Sequence, residues 1–248
     1  MCGKSSTVLN EALARLLEKY QVPSAGSIVL NEGSDTGTAT LLMKETGQTV
    51  PLLPWRMERR FIELRNLIRQ ETLEDPSTLR FCAINSSVKT SLDQLNYREF
   101  DLCEWISGAE ITSIFAVSNG DQATNIIAKL ANGIACSIEC SVTLPADAAP
   151  VDRHEIIARR GVASDRAVDT QVPQSSIYTF TEKGKKEFTD TDAELFGLDQ
   201  DQTNLVRAAF TVLSDSDLAT RWNQQHQRLM QFTAAAVKSS QDNRPVEM

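Results

Sequence analysis

Asn132-Gly133 is the feature that most narrows what this chain can fold into. Both residues tolerate positive φ, and they separate the run ATNIIAKLA from the run IACSIECSV. That arrangement predicts a β-hairpin. Beyond the turn Ile134, Cys136, Ile138, Cys140 and Val142 share one strand face, and Ala135, Ser137, Glu139 and Ser141 share the other. One apolar face and one small, polar face predict an antiparallel sheet with helices over one side. Further strands are expected over 154–159, 167–171 and 177–180, extending the block to Phe180. The uncovered face must meet solvent, another domain or another subunit.

Around this block the apolar period becomes helical. Val8, Leu9, Ala12, Leu13, Leu16 and Leu17 predict a helix over 6–20, capped by Ser6 or Thr7 and stopped at Val22-Pro23. Short strands are expected over 27–30, 38–44 and 49–53. A helix over 55–71 turns Met57, Phe61, Leu64 and Ile68 inward and carries Arg56, Arg59, Arg60, Arg65 and Arg69 elsewhere. Five arginines invite a phosphate-binding reading. Glu58, Glu63, Gln70 and Glu71 interleave with them, so a solvated, salt-bridged face is preferred. A strand over 79–84, a helix over 95–107 ended by Gly108 and a strand over 111–117 precede the central block. Helices over 201–213 and 216–238 follow it, and 239–248 reads as a tail. The predicted class is α+β: a mostly antiparallel open sheet with helices packed on one face, plus a small N-terminal α/β remnant. Residues 1–54 form that N-terminal helix-strand piece, and 55–248 the sheet domain.

The chemistry the sequence excludes is broad. With 25 basic and 33 acidic residues the net charge is −8, which argues against a partner made of nucleic acid or anionic membrane. No apolar run approaches a membrane span and no signal-peptide core opens the chain, so a cytoplasmic location is expected. Cys2, Cys82, Cys103, Cys136 and Cys140 are odd in number and lack CxxC spacing. They read as small hydrophobes in a reducing compartment rather than a disulfide framework or metal site. There is no GxGxxG turn, and Cys2-Gly3-Lys4-Ser5 has only the ending of a P-loop. His154 and His226 are the two histidines, and their spacing suggests no metal site. His154, in a strand, reads as a structural or interface residue. Asp165 and Asp169 share a strand face, with Arg166 opposite, and read as a sheet-face salt-bridge network. Residue chemistry alone therefore shows no active site.

Several segments nevertheless carry a family resemblance. Residues 153–178, RHEIIARRGVASDRAVDTQVPQSSIY, resemble the C-terminal domain of the glucose–fructose oxidoreductase/inositol dehydrogenase (Gfo/Idh/MocA) family. RMERRFIELRNLI at 56–68 is similar to that family's Asn-Arg-Arg-Phe segment and following helix. REFDLCEWISG at 98–108 is similar to its His-x-x-Asp…Trp-Leu-x-Gly helix, and Asn243-Arg244-Pro245-Val246-Glu247 to its Gly-Lys/Arg-Pro-Val ending. Cys2-Gly3-Lys4-Ser5 lies where the family has Glu-Lys-Pro. The resemblance covers most of 1–20 and 55–248. Residues 24–54 have no counterpart in it, and are read as replacement structure over a surface that a Rossmann domain would cover.

The resemblance implies an NAD- or NADP-binding Rossmann domain followed by an open-sheet domain that forms the dimer. This chain matches from the Glu-Lys-Pro point onward, so most of the cofactor domain is absent from the match. The family's catalytic Lys falls on Lys4. Its catalytic Asp and His, four residues apart, fall on Gln94 and Arg98, while Asp101 and Trp105 keep the motif's second acid and aromatic. A guanidinium stays protonated and cannot serve as a base near neutral pH. The expectation is a degenerate, non-catalytic oxidoreductase-like protein whose sheet serves homodimerisation and sugar or polyol binding. No cofactor is then expected for the chain itself. The alternative is an NAD(P)-dependent sugar or polyol oxidoreductase whose Rossmann domain comes from a partner chain.

Overall fold

The hairpin at Asn132-Gly133 forms the middle of the molecule's largest sheet. In this computed structural model, residues 6–30, 36–165, 177–181, 184–188, 193–195 and 197–248 are described. Strands β6 (Ala123–Leu130) and β7 (Ala135–Ser141) pair antiparallel, with Ile126 opposite Ile138 and Ala128 opposite Cys136. Gly133 takes φ 86°, the left-handed conformation that glycine enters without a Cβ penalty. The chain divides into two compact units, one drawn from Met1–Glu32, Thr38–Arg59 and Val172–Asn223, the other from Gly33–Gly37, Arg60–Gln171 and Gln224–Met248.

In the first unit, α1 (Ser6–Lys19) buries Leu9, Leu13 and Leu16. A three-stranded antiparallel sheet follows: β1 (Gly26–Val29), β2 (Thr40–Met43) and β3 (Thr49–Pro51), in that order. The Asn10 side chain pins α1 to β1, accepting from the Ile28 amide at 2.7 Å and donating to the Ile28 carbonyl at 3.1 Å. A 3-10 turn, Pro54–Met57, comes next. The strand expected at 177–180 is real, but it pairs locally. Ile177–Thr181 and Gly184–Phe188 make a separate antiparallel ribbon rather than a further edge of the large sheet. The expected strand at 167–171 lies outside the described residues. Helix α4 (Gln200–Ser214) starts at a capping box between Asp199 and Gln202 and buries Val206, Ala209 and Val212.

The second unit carries α2 (Arg59–Arg69), β4 (Pro76–Ile84), α3 (Leu92–Ser107) and β5 (Ile111–Asn119) before the hairpin. After it come β8 (Val151–Ala158), β9 (Gly161–Ser164), the C-terminal part of α5 (Ser216–Asp242) and a last strand, Val246–Glu247. Numbering the ribbon β10 and β11 and the last strand β12, the sheet order is β12-β5-β6-β7-β4-β8-β9. Its pairs are antiparallel except β4–β7, which is parallel, so the sheet is mixed. The fold class is α+β. Leu79, Phe81, Ile114, Ala116, Ile126, Ile138 and Ile156 are buried on one sheet face, and α3 and α5 contribute Phe100, Cys103, Leu229 and Phe232 to the core. Cys136 and Cys140 are fully buried on that face, and burial raises both thiols well above their ordinary pKa. They pack as small hydrophobes.

The tail expected from 239 onward is structured. Helix α5 continues to Asp242. Ser239 Oγ accepts from the Ala116 amide at 3.0 Å, Ser240 Oγ from the Ser118 amide at 3.0 Å, and β12 then pairs with Ser113 and Ile114. Serines that read as a solvated end instead satisfy backbone donors of β5 beyond the two residues that β12 pairs with.

Candidate functional site

The candidate site is a buried ionic cluster, and each of its members is placed by ordinary local structure. Helix α2 brings Arg60 and Phe61 in its first turn, and α3 brings Arg98 and Glu99 one turn past its start. Alternation along β8 puts Asp152 and His154 on the same face. The β8–β9 hairpin returns Asp165 beside His154, with the Asp165 amide donating to the His154 carbonyl at 3.1 Å. All six charged residues belong to the unit that carries the seven-stranded sheet.

His154 is the centre. It is fully buried, its Nε2 lies 2.8 Å from Glu99 Oε2, and its Nδ1 lies 3.0 Å from Asp165 Oδ2. Both ring nitrogens face carboxylates, so both must carry protons to satisfy them. The His154 amide also donates to Asp165 Oδ1 at 2.9 Å. Phe61 meets the imidazole edge-on at 4.6 Å, and Phe81, its neighbour in register on β4, lies 4.8 Å away. Arg98 donates to Glu99 at 2.7 Å and to Asp152. Arg60 donates to Asp165 at 3.0 Å and to Asp152. Three cations thus face three carboxylates, and the cluster is neutral as a whole.

The titration behaviour follows from that contest. Burial favours the neutral imidazole, but the Glu99 charge and the hydrogen bonds with Asp165 and Glu99 outweigh it and raise His154 to about 9. Burial likewise opposes ionisation of Asp152, yet Arg98, His154 and Arg60 hold it well below the usual carboxylate range. Glu99 is lowered against burial by Arg98 and then His154, and Asp165 chiefly by the hydrogen bond from His154. At neutral pH the cluster is fully ionised. It holds no neutral imidazole that could accept a proton.

Glu99, Asp152 and His154 have ligand-type atoms within 4.8 Å of one another, the spacing of a metal site. They do not fit one. Those atoms already face the Arg98 and Arg60 guanidinium groups and the imidazole N–H, and a guanidinium cannot deprotonate to make room for a metal cation.

The family positions are distributed as follows. Arg98 sits inside the cluster. Gln94, one turn earlier, closes the N-terminus of α3: its amide donates to Ser91 Oγ at 3.2 Å, and its Oε1 accepts from the Ser91 amide at 3.2 Å and Thr90 Oγ1 at 2.8 Å. Asp101 is fully buried on the same helix, and Lys4 lies outside the described residues. Sequence reading assigned Arg60 to a solvated arginine face. Only part of that face is solvated, because Arg60 turns into the cluster and Arg65 lies over the Trp105 ring at 4.6 Å. Glu99 and Asp152 were not singled out at all. The available signal was Asp152-x-His154, a strand spacing that places an acid beside a histidine, together with Asp165 eleven residues on.

No family model and no curated protein sequence matches the chain. Solved structures do. A myo-inositol dehydrogenase from Corynebacterium glutamicum superposes with a TM-score of 0.56 at 12% identity, over 79% of this chain and 63% of that one. The myo-inositol 2-dehydrogenase from Lactobacillus plantarum gives 0.56 at 9% identity, over 79% and 63%. Over the matched span the chain shares the fold of these dehydrogenase structures. GenD2 from gentamicin A biosynthesis, solved in complex with NAD, gives 0.57 at 15% identity, over 79% of this chain and 62% of that one. The chain therefore spans less than two thirds of the length of the Gfo/Idh/MocA-type structures it resembles. Among the described residues no helix is long and apolar enough to cross a membrane.

Proposed function

We propose that this chain is a non-catalytic relative of the sugar and polyol dehydrogenases, with its sheet used for pairing with a second copy and for binding a small sugar or polyol. The observation that carries the reading is Arg98. It stands where the resemblance puts the proton-transferring histidine, and its guanidinium is held by Glu99 and Asp152 in a charge-balanced cluster. Such a group orders structure and does not shuttle protons.

The test is a titration of the purified chain with NADH and NADPH, followed by nucleotide fluorescence. No saturable binding is expected up to about 1 mM, the upper end of ordinary substrate affinities. Saturation by the chain alone overturns the reading. Binding only after a Rossmann-domain chain is added supports the alternative, an oxidoreductase assembled from two chains, which retention of Lys4 and Asp101 at family positions favours.

The open sheet face supports pairing of two copies. Across it run Phe115, Ile127, Ser137, Arg80 and Glu155 in one register row, and Val117, Asn125, Glu139, Cys82 and Arg153 in the next. Ile127 is 50% and Val117 55% exposed. Both signs of charge are interspersed among small and apolar groups, a composition that suits pairing with a second copy. Sedimentation velocity at micromolar concentration is expected to show a dimer. Ile127→Glu with Val117→Lys is expected to give a monomer with an unchanged urea midpoint. A wild-type monomer removes the dimer from the proposal.

A further inference from the structure

The β5–β6 and β6–β7 turns each carry an Asn-Gly pair, Asn119-Gly120 and Asn132-Gly133, and the sequence holds these two alone. Such a pair can react with itself. The glycine backbone nitrogen attacks the side-chain carbonyl carbon of the asparagine, and no Cβ on the glycine blocks the approach. The reaction needs an asparagine side chain that is free to turn and a following amide that is not held in a hydrogen bond. Space does not separate the two turns. Both glycines have left-handed φ, 56° and 86°, and nothing lies within 4 Å of where a Cβ would sit on either. Both asparagines are exposed.

Hydrogen bonding does separate them. In the second turn the Gly133 amide donates to the Leu130 carbonyl at 3.0 Å, and Asn132 Oδ1 accepts from the Ile134 amide at 3.2 Å. The nucleophile and the group it would attack are both tied to the backbone, and Ile134 is itself buried. In the first turn the Gln122 amide donates to the Asn119 main-chain carbonyl at 3.1 Å. Neither the Asn119 side chain nor the Gly120 amide has a hydrogen-bond partner among the described residues.

We propose that Asn119 is a site of spontaneous covalent modification, and that the fold protects Asn132 from the same reaction. The Gly120 nitrogen bonds to Asn119 Cγ and gives up its proton, the Cγ–NH2 bond breaks, and ammonia leaves. Water then opens the cyclic imide at either carbonyl, giving aspartate or isoaspartate. Each event adds a negative charge two residues from Asp121, in a chain already at −8. Isoaspartate also routes the main chain through the former side chain, inside the turn that Gln122 closes. The Gln122 carbonyl accepts from the Val142 amide at 2.8 Å, so the altered turn is bonded to the residue that follows β7.

Ageing the full chain at mildly alkaline pH, followed by brief tryptic digestion and mass spectrometry, tests the proposal. Trypsin puts the two pairs on separate peptides, 99–129 and 130–153. Peptide 99–129 is expected to gain the mass of an amide-to-acid change and to become a substrate for an isoaspartyl methyltransferase. Peptide 130–153 is expected to convert at least about tenfold more slowly, the net effect of two hydrogen bonds that must open first. In urea the gap should shrink to within about threefold, because both turns are then open. Asn119→Gln is expected to abolish the gain in 99–129, since the larger ring closes far more slowly. Asn132 converting as fast as Asn119 in the folded chain overturns the proposal. So does a 99–129 peptide that stays unmodified in the folded chain over a period that converts it in urea. A gain in 99–129 that survives Asn119→Gln places the reaction at Asn125 and overturns it as well. A gap of the same size in urea overturns the protective role given to the fold.

Discussion

Replacing His154 with leucine is expected to cost on the order of 3–5 kcal/mol of stability, the range for breaking a buried ion pair from one side. Leucine would fit between Phe61 and Phe81 without leaving a large void. The loss is electrostatic. Glu99 and Asp165 would each lose a charged N–H donor, and the cluster would hold three carboxylates against two guanidinium groups. Urea denaturation should show a lowered midpoint with an unchanged slope. His154→Leu combined with Glu99→Gln removes one charge of each sign and is expected to recover at least half of the loss. A single His154→Leu variant as stable as wild type would show that the imidazole is not what closes this end of the core. An effect with no recovery in the pair would point to shape rather than charge.

The second large effect is on alkaline stability. The His154 pKa is raised by folding from an ordinary 6.5 to about 9. Its contribution is therefore fully present below pH 6.5, is drawn down as pH climbs, and is gone once pH passes about 9. The full contribution is on the order of 3 kcal/mol. The carboxylates act in the opposite direction. Glu99, Asp152 and Asp165 are depressed by folding, so their contribution is present above the ordinary carboxylate range and is lost as pH falls through it. Stability should be greatest between these limits, near pH 5 to 6.5, and should decline toward pH 9. Urea midpoints taken from pH 5 to 10 check this. In His154→Gln the alkaline decline should flatten, and a wild-type curve that stays level across pH 7 to 9 would contradict the charged imidazole.

The two-residue alternation and the Asn132-Gly133 turn made the β6–β7 pair and its inward face readable from sequence, because strand period and turn chemistry are local signals. The helices were readable for the same reason, at 3.6 residues per turn. What sequence could not show were pairings between distant segments. The parallel β4–β7 pair joins strands separated by α3 and a meander, and nothing in either strand announces the partner. The last turn of α5 was lost because Ser239 and Ser240 look solvated until the edge amides of Ala116 and Ser118 are placed beside them. The ionic cluster was illegible for a related reason. Arg60 reads as part of a solvated arginine face, Arg98 only as the residue at the family's histidine position, and Glu99 carries no signal of its own; only the fold shows that they neutralise one another around His154.

The position of β4 has a consequence for the order in which the sheet can be made. β4 is flanked by β7 and β8, both later in the chain, so it has no strand neighbour until Ala135–Ser141 and Val151–Ala158 exist. β5, β6 and β7, by contrast, are successive strands joined by tight turns, and their loops close at little entropic cost. During synthesis the meander can pair as it emerges, whereas β4 is committed to waiting. Phe81, which β4 sets against His154, arrives with it. The ionic cluster can thus be sealed from water only after β4 has been inserted between β7 and β8, so it is expected to form late in folding rather than to seed it.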